Sequence, residues 1–129
     1  AIVVLAGEVI GEGANHVTTL HDPTAHAEVV AIRQACSRLE RHDLRGAVIY
    51  SSCEPCPMCL ASALWARVDR IVYANTREDA AAIGFDDAFL YDEMPKDPLA
   101  RALPTQHMPL TEARHVFELW RDKPDKVPY

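Results

Sequence analysis

Residues 2–5 form an unbroken apolar run, Ala6-Gly7 interrupts it, and residues 8–12 carry apolar positions back, the pattern of a β-hairpin. Residues 47–50 and 71–74 are two further continuous apolar runs of strand length. Between them the period changes. Asp22-Pro23-Thr24 is a helix-start signal, and Val29, Ile32, Cys36 and Leu39 follow at helical spacing, with Arg33, Gln34, Ser37, Arg38 and Arg41 on the opposite face. Cys56, Cys59, Leu60, Ala63 and Leu64 share one face of a second helix. Residues 76–83, 86–93 and 111–120 read as shorter helices, with Pro95, Pro98 and Pro104 marking an irregular connector. Strands that are apolar throughout, alternating with helices, predict an α/β fold whose sheet is covered on both faces.

No repeat or linker divides the chain, so residues 1–129 are expected to form a single domain ending in a polar tail over 122–129. The chain opens at Ala1 directly on an apolar strand, so further residues are expected upstream of it. Net charge is −6, which argues against a polynucleotide partner, because phosphate binding draws on clustered Lys and Arg. No apolar run approaches the roughly 20 residues of a membrane helix. Four cysteines in a chain that is 49% apolar do not make a disulfide scaffold, so a reducing, cytoplasmic setting is expected.

The chemistry concentrates in two stretches. Ser51-Ser52-Cys53-Glu54-Pro55-Cys56-Pro57-Met58-Cys59 places Cys56 and Cys59 one helical turn apart, where two sulfurs can grip one ion. Both are expected in the first turn of a helix, whose free N–H groups and dipole favour thiolate. His26-Ala27-Glu28 is the partner stretch, with His26 expected in the first turn of its own helix as a neutral nitrogen ligand. Three protein ligands leave a fourth tetrahedral position for water, the arrangement of a catalytic zinc. Glu28 would stand beside that water without ligating the metal and shuttle its proton, although residues two apart on a helix point about 200° apart. H-x-E paired with P-C-x-x-C is the signature of zinc nucleobase deaminases.

Other uses of the thiols account for less. An iron–sulfur run of the C-x2-C-x2-C-x3-C kind needs a cysteine where Ala63 stands. A redox Cys56/Cys59 pair leaves His26 and Glu28 without a purpose. Cys53 could replace Cys56 as ligand, or complete a closed, non-catalytic four-ligand site; its position ahead of the helix favours a packing role. Cys36 falls on an apolar stripe and reads as core. Asp86-Asp87 reads from the residues alone as a helix start, Asn15 as a loop residue and Tyr129 as a chain end.

DPTAHAEVVAIRQAC, SSCEPCPMCLASALWAR, AIGFDDAFLYDEM and the terminal tyrosine together resemble bacterial guanine deaminases of the cytidine-deaminase-like superfamily, over nearly the whole chain. The zinc motifs are common to the superfamily, whereas GFDDAFLYDEM and Tyr129 point to guanine. The resemblance implies a three-layer α/β/α domain with a mixed central sheet, and that the residues upstream of Ala1 include an N-terminal helix and the start of the first strand. It implies hydrolytic deamination of guanine to xanthine and ammonia, Zn2+ as cofactor, a small purine base as partner, and a homodimer that exchanges C-terminal segments. It also implies that Asp87 assists proton transfer at the departing amino group, that Asn15 and Ala27 contact the purine, and that Tyr129 closes over it. The alternatives are another nucleobase or nucleoside deaminase, acting on cytosine, guanosine or tRNA adenosine, and a non-catalytic zinc module.

Overall fold

A computed structural model describes residues 1–128, which fall into two compact units, Ala1–Tyr91 and one beginning at Asp92. The first unit is built on a four-stranded sheet of β1 (Ile2–Leu5), β2 (Glu8–Glu12), β3 (Ala47–Cys53) and β4 (Arg70–Asn75), in the order β2-β1-β3-β4. β1 runs antiparallel to both β2 and β3, and β3 runs parallel to β4, so the sheet is mixed as expected. Ala6 and Gly7 make the hairpin turn with positive φ of 52° and 86°. The parallel pair needs a crossover, which α3 (Pro57–Trp65) supplies. Two strands outrun the apolar pattern. β3 continues through Ser51, Ser52 and Cys53, because pairing with β4 as far as Cys53↔Asn75 satisfies their backbone groups whatever their side chains.

The long helix α2 (Ala27–Leu39) lies across β2, β1 and β3 and packs on α3. Its buried face carries Val29, Ile32 and the small Ala31 and Ala35. These join Val3, Ile10, Leu44, Ala47, Ile49, Ala63 and Ala66 in one core. Fully burying side chains such as Leu44 and Ile49 is worth about 1.5–3 kcal/mol each, which makes them the anchors of the layer. Small residues on α2 let the helix come unusually close to β2, where a Cβ added to Gly11 would lie 2.4 Å from the Ala31 carbonyl oxygen.

The helix starts depart from the pattern in one informative way. α2 begins at Ala27, not at Thr24. Asp22 instead ties the preceding loop, its Oδ1 accepting from the Thr24 amide at 2.8 Å and the Thr24 hydroxyl at 2.7 Å. Short helix α1 (Val17–Leu20) precedes that loop, joined to it by the His16 amide donating to the Ala25 carbonyl at 2.9 Å. The expected single apolar face of α3 is also divided: Cys59 and Ala63 are buried, whereas Leu60 and Leu64 are exposed. On the sheet face away from Ile49, Tyr50 and its register partner Val72 are both exposed. Helices α4 (Arg77–Ala82), opened by a Thr76–Asp79 capping box, and α5 (Ala88–Glu93) follow β4.

In the second unit, a single 3-10 turn at Pro98–Ala100 occupies the proline connector, and α6 (Thr111–Asp122) matches the last expected helix. The Arg101 guanidinium donates to the carbonyls of Met94 and Lys96. Glu93 accepts from the Ala102 amide at 2.6 Å and from the Lys96 ammonium. α6 is amphipathic, yet Val116, Phe117, Leu119 and Trp120 are all exposed. Among the described residues no helix is long and apolar enough to cross a membrane.

Candidate metal centre and active site

Two helix N-termini meet at the site. His26 is the residue immediately before α2 and Cys56 the residue immediately before α3; both have extended backbones, with φ/ψ of −68°/153° and −61°/167°. This corrects the expectation that each lies within its helix's first turn. It also removes the 200° problem, since the helical period does not govern the angle between His26 and Glu28 when His26 is not helical. Pro57, whose missing N–H costs nothing at a first helical position, starts α3, while Pro55 remains in the loop. Cys59 is the third residue of α3 and is buried; Glu28 is the second of α2 and also buried.

His26, Cys56 and Cys59 bring their ligand atoms within 4.8 Å of one another. The Cys56 and Cys59 sulfurs are 3.6 Å apart, and Cys56 Sγ is 3.6 Å from His26 Nδ1. Zinc bonds of about 2.3 Å to sulfur and 2.0 Å to nitrogen at tetrahedral angles give edges of about 3.8 Å and 3.5 Å. Both separations match, so Cys56 is spaced from Cys59 and from His26 as ligands of one zinc would be.

The thiols are already polarised for that purpose. Cys56 is drawn down to about 6, first by the hydrogen bond shared with Cys59, then by the N–H groups of Cys59 and Met58 at the start of α3 and by His26. Cys59 is held far above the usual thiol range by the same sharing with Cys56, by burial and by the charge of Glu28. One thiolate thus forms ahead of the other, and metal binding must displace the proton that remains.

Cys53 stands apart from this group. Its sulfur faces the Thr76 carbonyl at 3.9 Å, and burial raises its thiol. Glu28 likewise lies outside the ligand cluster: its Oε2 is 3.3 Å from Cys59 Sγ and its Oε1 accepts from the Ser51 hydroxyl at 2.6 Å. Asp87 is half-buried where α5 begins; burial foremost, with the Asp87 charge adding to it, raises both the Cys53 thiol and the Tyr91 hydroxyl. Its neighbour Asp86 performs the capping expected of the pair, accepting from the Ala88 amide at 2.9 Å. Asn15 is exposed, and its Oδ1 accepts from the Val17 amide at 3.1 Å. Ala27 opens α2 and is half-buried. Tyr129 lies outside the described residues.

Ser51 is the residue that pattern reading passes over. Its signal is there in retrospect: Ala47, Ile49 and Ser51 alternate on the core-facing side of β3, and the third is a hydroxyl where an apolar side chain belongs.

Residues 1–75 match the model of the cytidine and deoxycytidylate deaminase zinc-binding region. Over 129 residues the chain is 47% identical to guanine deaminase of Bacillus subtilis (strain 168), covering all of this chain and 83% of that protein. The X-ray structure of guanine deaminase from Bacillus subtilis superposes with a TM-score of 0.96 over 99% of this chain and 82% of that one. A tRNA-specific adenosine deaminase of Aquifex aeolicus (strain VF5) is 32% identical over 117 residues, 91% of this chain and 75% of that protein. With the zinc-binding region matched over residues 1–75, a relative 47% identical along the whole chain, and His26, Cys56 and Cys59 grouped as a metal site would require, the chain belongs to the cytidine and deoxycytidylate deaminase family of zinc-binding deaminases.

Proposed function

We propose that this chain catalyses the hydrolytic deamination of guanine, converting guanine and water to xanthine and ammonia. The observation that carries the reading is the 47% identity with a guanine deaminase over 129 residues, a match that extends well past the zinc-binding region of residues 1–75. His26, Cys56 and Cys59 would hold a zinc ion, which supplies Lewis-acid activation of water. Glu28 takes one proton from the attacking water and gives it to the purine ring nitrogen, then carries the second proton of that water to the departing amino group, which leaves as ammonia. Guanine presents N1–H and its exocyclic amine as donors, and Asp87 is the acceptor assigned to that edge. Asn15, whose Oδ1 is engaged with Val17, offers its amide NH2 to the base. Ala27 lines the contact at the start of α2, and Tyr129 covers the flat face of the purine.

The direct test is ammonia release from guanine, guanosine, cytosine, cytidine, adenine and a tRNA anticodon stem-loop, with zinc-loaded and chelator-stripped protein. Guanine is expected to be the preferred substrate, with one zinc per chain, and turnover is expected to vanish on stripping and return with zinc. Preference for the stem-loop would replace this reading with the tRNA reading that the Aquifex aeolicus relative represents.

The enzyme is further proposed to act as a cytoplasmic homodimer, with C-terminal segments exchanged between copies. Exposed apolar side chains support this: Tyr50 and Val72 on the sheet and Leu60, Leu64 and Trp65 on α3 of the first unit, and separately Val116, Phe117, Leu119 and Trp120 on α6. All four cysteines are free, as a reducing compartment keeps them. Sedimentation equilibrium is expected to return twice the 14.3 kDa chain mass. A single-chain mass at assay concentration would remove the dimer.

A further inference from the structure

Glu28 is buried, and each of its carboxylate oxygens faces a different group. Oε2 meets the Cys59 sulfur at 3.3 Å; Oε1 accepts the Ser51 hydroxyl at 2.6 Å. The first contact belongs to the metal-free protein, because a ligating cysteine has lost its thiol proton and can no longer donate. The second needs no thiol proton, since the Ser51 hydroxyl on β3 donates it.

We infer that Ser51 is a positioning residue for the reaction: its hydroxyl holds Oε1 of Glu28 from the core side, leaving Oε2 turned to the metal cluster as the oxygen that accepts and returns the proton. Several features make the hold rigid. Ser51 sits near the end of β3 in a ladder that pairs it with Tyr73 of β4, which restrains its Cα. Its own exposure is 9% and that of Glu28 is 8%, so little water competes for the bond. A short hydroxyl on a fixed strand permits few positions, whereas Glu28 has three side-chain torsions to restrain. A proton shuttle works only while it lies within hydrogen-bond reach of both the donor and the acceptor, and misplacement by about 1 Å can cost 100-fold in rate.

This inference rests on the deaminase reading above, and the experiment separates the two. Ser51→Ala and Ser51→Thr are compared with the wild type as zinc-loaded full chains. For Ser51→Ala, kcat for guanine is expected to fall between about 10-fold and 100-fold, with KM near wild type and one zinc retained per chain. Ser51→Thr, which keeps the hydroxyl, restores most of kcat. A second readout does not involve substrate: the infrared carboxylate band assigned to Glu28 by its disappearance in Glu28→Gln shifts in Ser51→Ala and returns in Ser51→Thr.

A band unmoved in Ser51→Ala overturns the inference, whatever the substrate proves to be. So does a kcat equal to wild type, or a loss confined to zinc content and melting temperature. If the threonine methyl does not fit the buried site, the alanine band shift alone decides. If the wild type releases no ammonia from guanine while the band behaves as described, the substrate assignment fails and the Ser51–Glu28 arrangement stands.

Discussion

Replacing Glu28 by Gln is expected to leave a folded, zinc-bound protein whose turnover falls by about 100- to 10,000-fold, the range that a positioned proton-transfer group supplies. The substitution is nearly isosteric and keeps an oxygen for the Ser51 hydroxyl, so the packing around α2 need not move. It removes a charge that is 92% buried (8% exposed) beside a sulfur 3.3 Å away, and for that reason stability is expected to hold or rise slightly. Zinc stays because His26, Cys56 and Cys59 form the ligand group without Glu28. What disappears is the basic oxygen: a neutral amide can neither take the proton from water nor return it to the ring.

Because the lost interaction belongs to the transition state, kcat and kcat/KM are expected to fall together while KM changes little. Steady-state kinetics with metal analysis on the same preparation checks all three quantities. A Glu28→Gln protein retaining substantial turnover would take the proton shuttle away from this residue. Loss of zinc in step with turnover would make Glu28 a structural support of the metal cluster instead.

The metal centre was legible in the sequence because its chemistry is written in residue types that have few other reasons to occur together. His26, Cys56 and Cys59 come together at two helix starts as the motif implies, with Glu28 Oε2 3.3 Å from the Cys59 sulfur. Their backbone state was not legible. Helical periodicity placed His26 and Cys56 inside helices, but a residue just ahead of a helix belongs to no period, and the Asp22–Thr24 turn that delays α2 by several residues looks in sequence like a helix start.

The strands show a second limit. Apolar content identified all four, yet it placed the end of β3 at residue 50, because Ser51, Ser52 and Cys53 do not look like strand residues. Ladder hydrogen bonds from β4 decided their conformation, and sequence patterns do not report them. Ser51 was passed over for that reason. Residues outside the zinc region fared differently again: Asp86 and Asp87 are indistinguishable by type, and only the fold makes one an exposed cap and the other half-buried.

The second large effect is expected from a residue with no chemistry at all. Gly13→Ala is predicted to damage the active site from behind. A Cβ at Gly13 would lie 2.3 Å from the Ala27 carbonyl oxygen, 2.7 Å from the Ala31 amide nitrogen and 2.9 Å from Val30 Cβ. Two of these three neighbours are backbone of α2, so no flexible side chain can yield and the first turn of the helix must move as a body. Overpacking of this kind costs about 1–3 kcal/mol in stability. The same displacement carries His26 and Glu28, and a movement of about 1 Å at a proton shuttle can cost about 100-fold in turnover.

Gly11→Ala supplies the comparison. Its Cβ would meet Ala31 O at 2.4 Å and Ala35 N at 2.8 Å, the same kind of clash one turn farther along α2 and away from the site. Both variants are expected to melt earlier by similar amounts, whereas Gly13→Ala alone loses turnover far beyond its loss of stability. Thermal melts and kinetics at a temperature where both variants remain folded test the distinction. If the two lose turnover equally, close packing at Gly13 serves the helix and not the site. If Gly13→Ala loses the larger share while keeping its zinc, the missing side chain at position 13 is what sets Glu28 at its working distance.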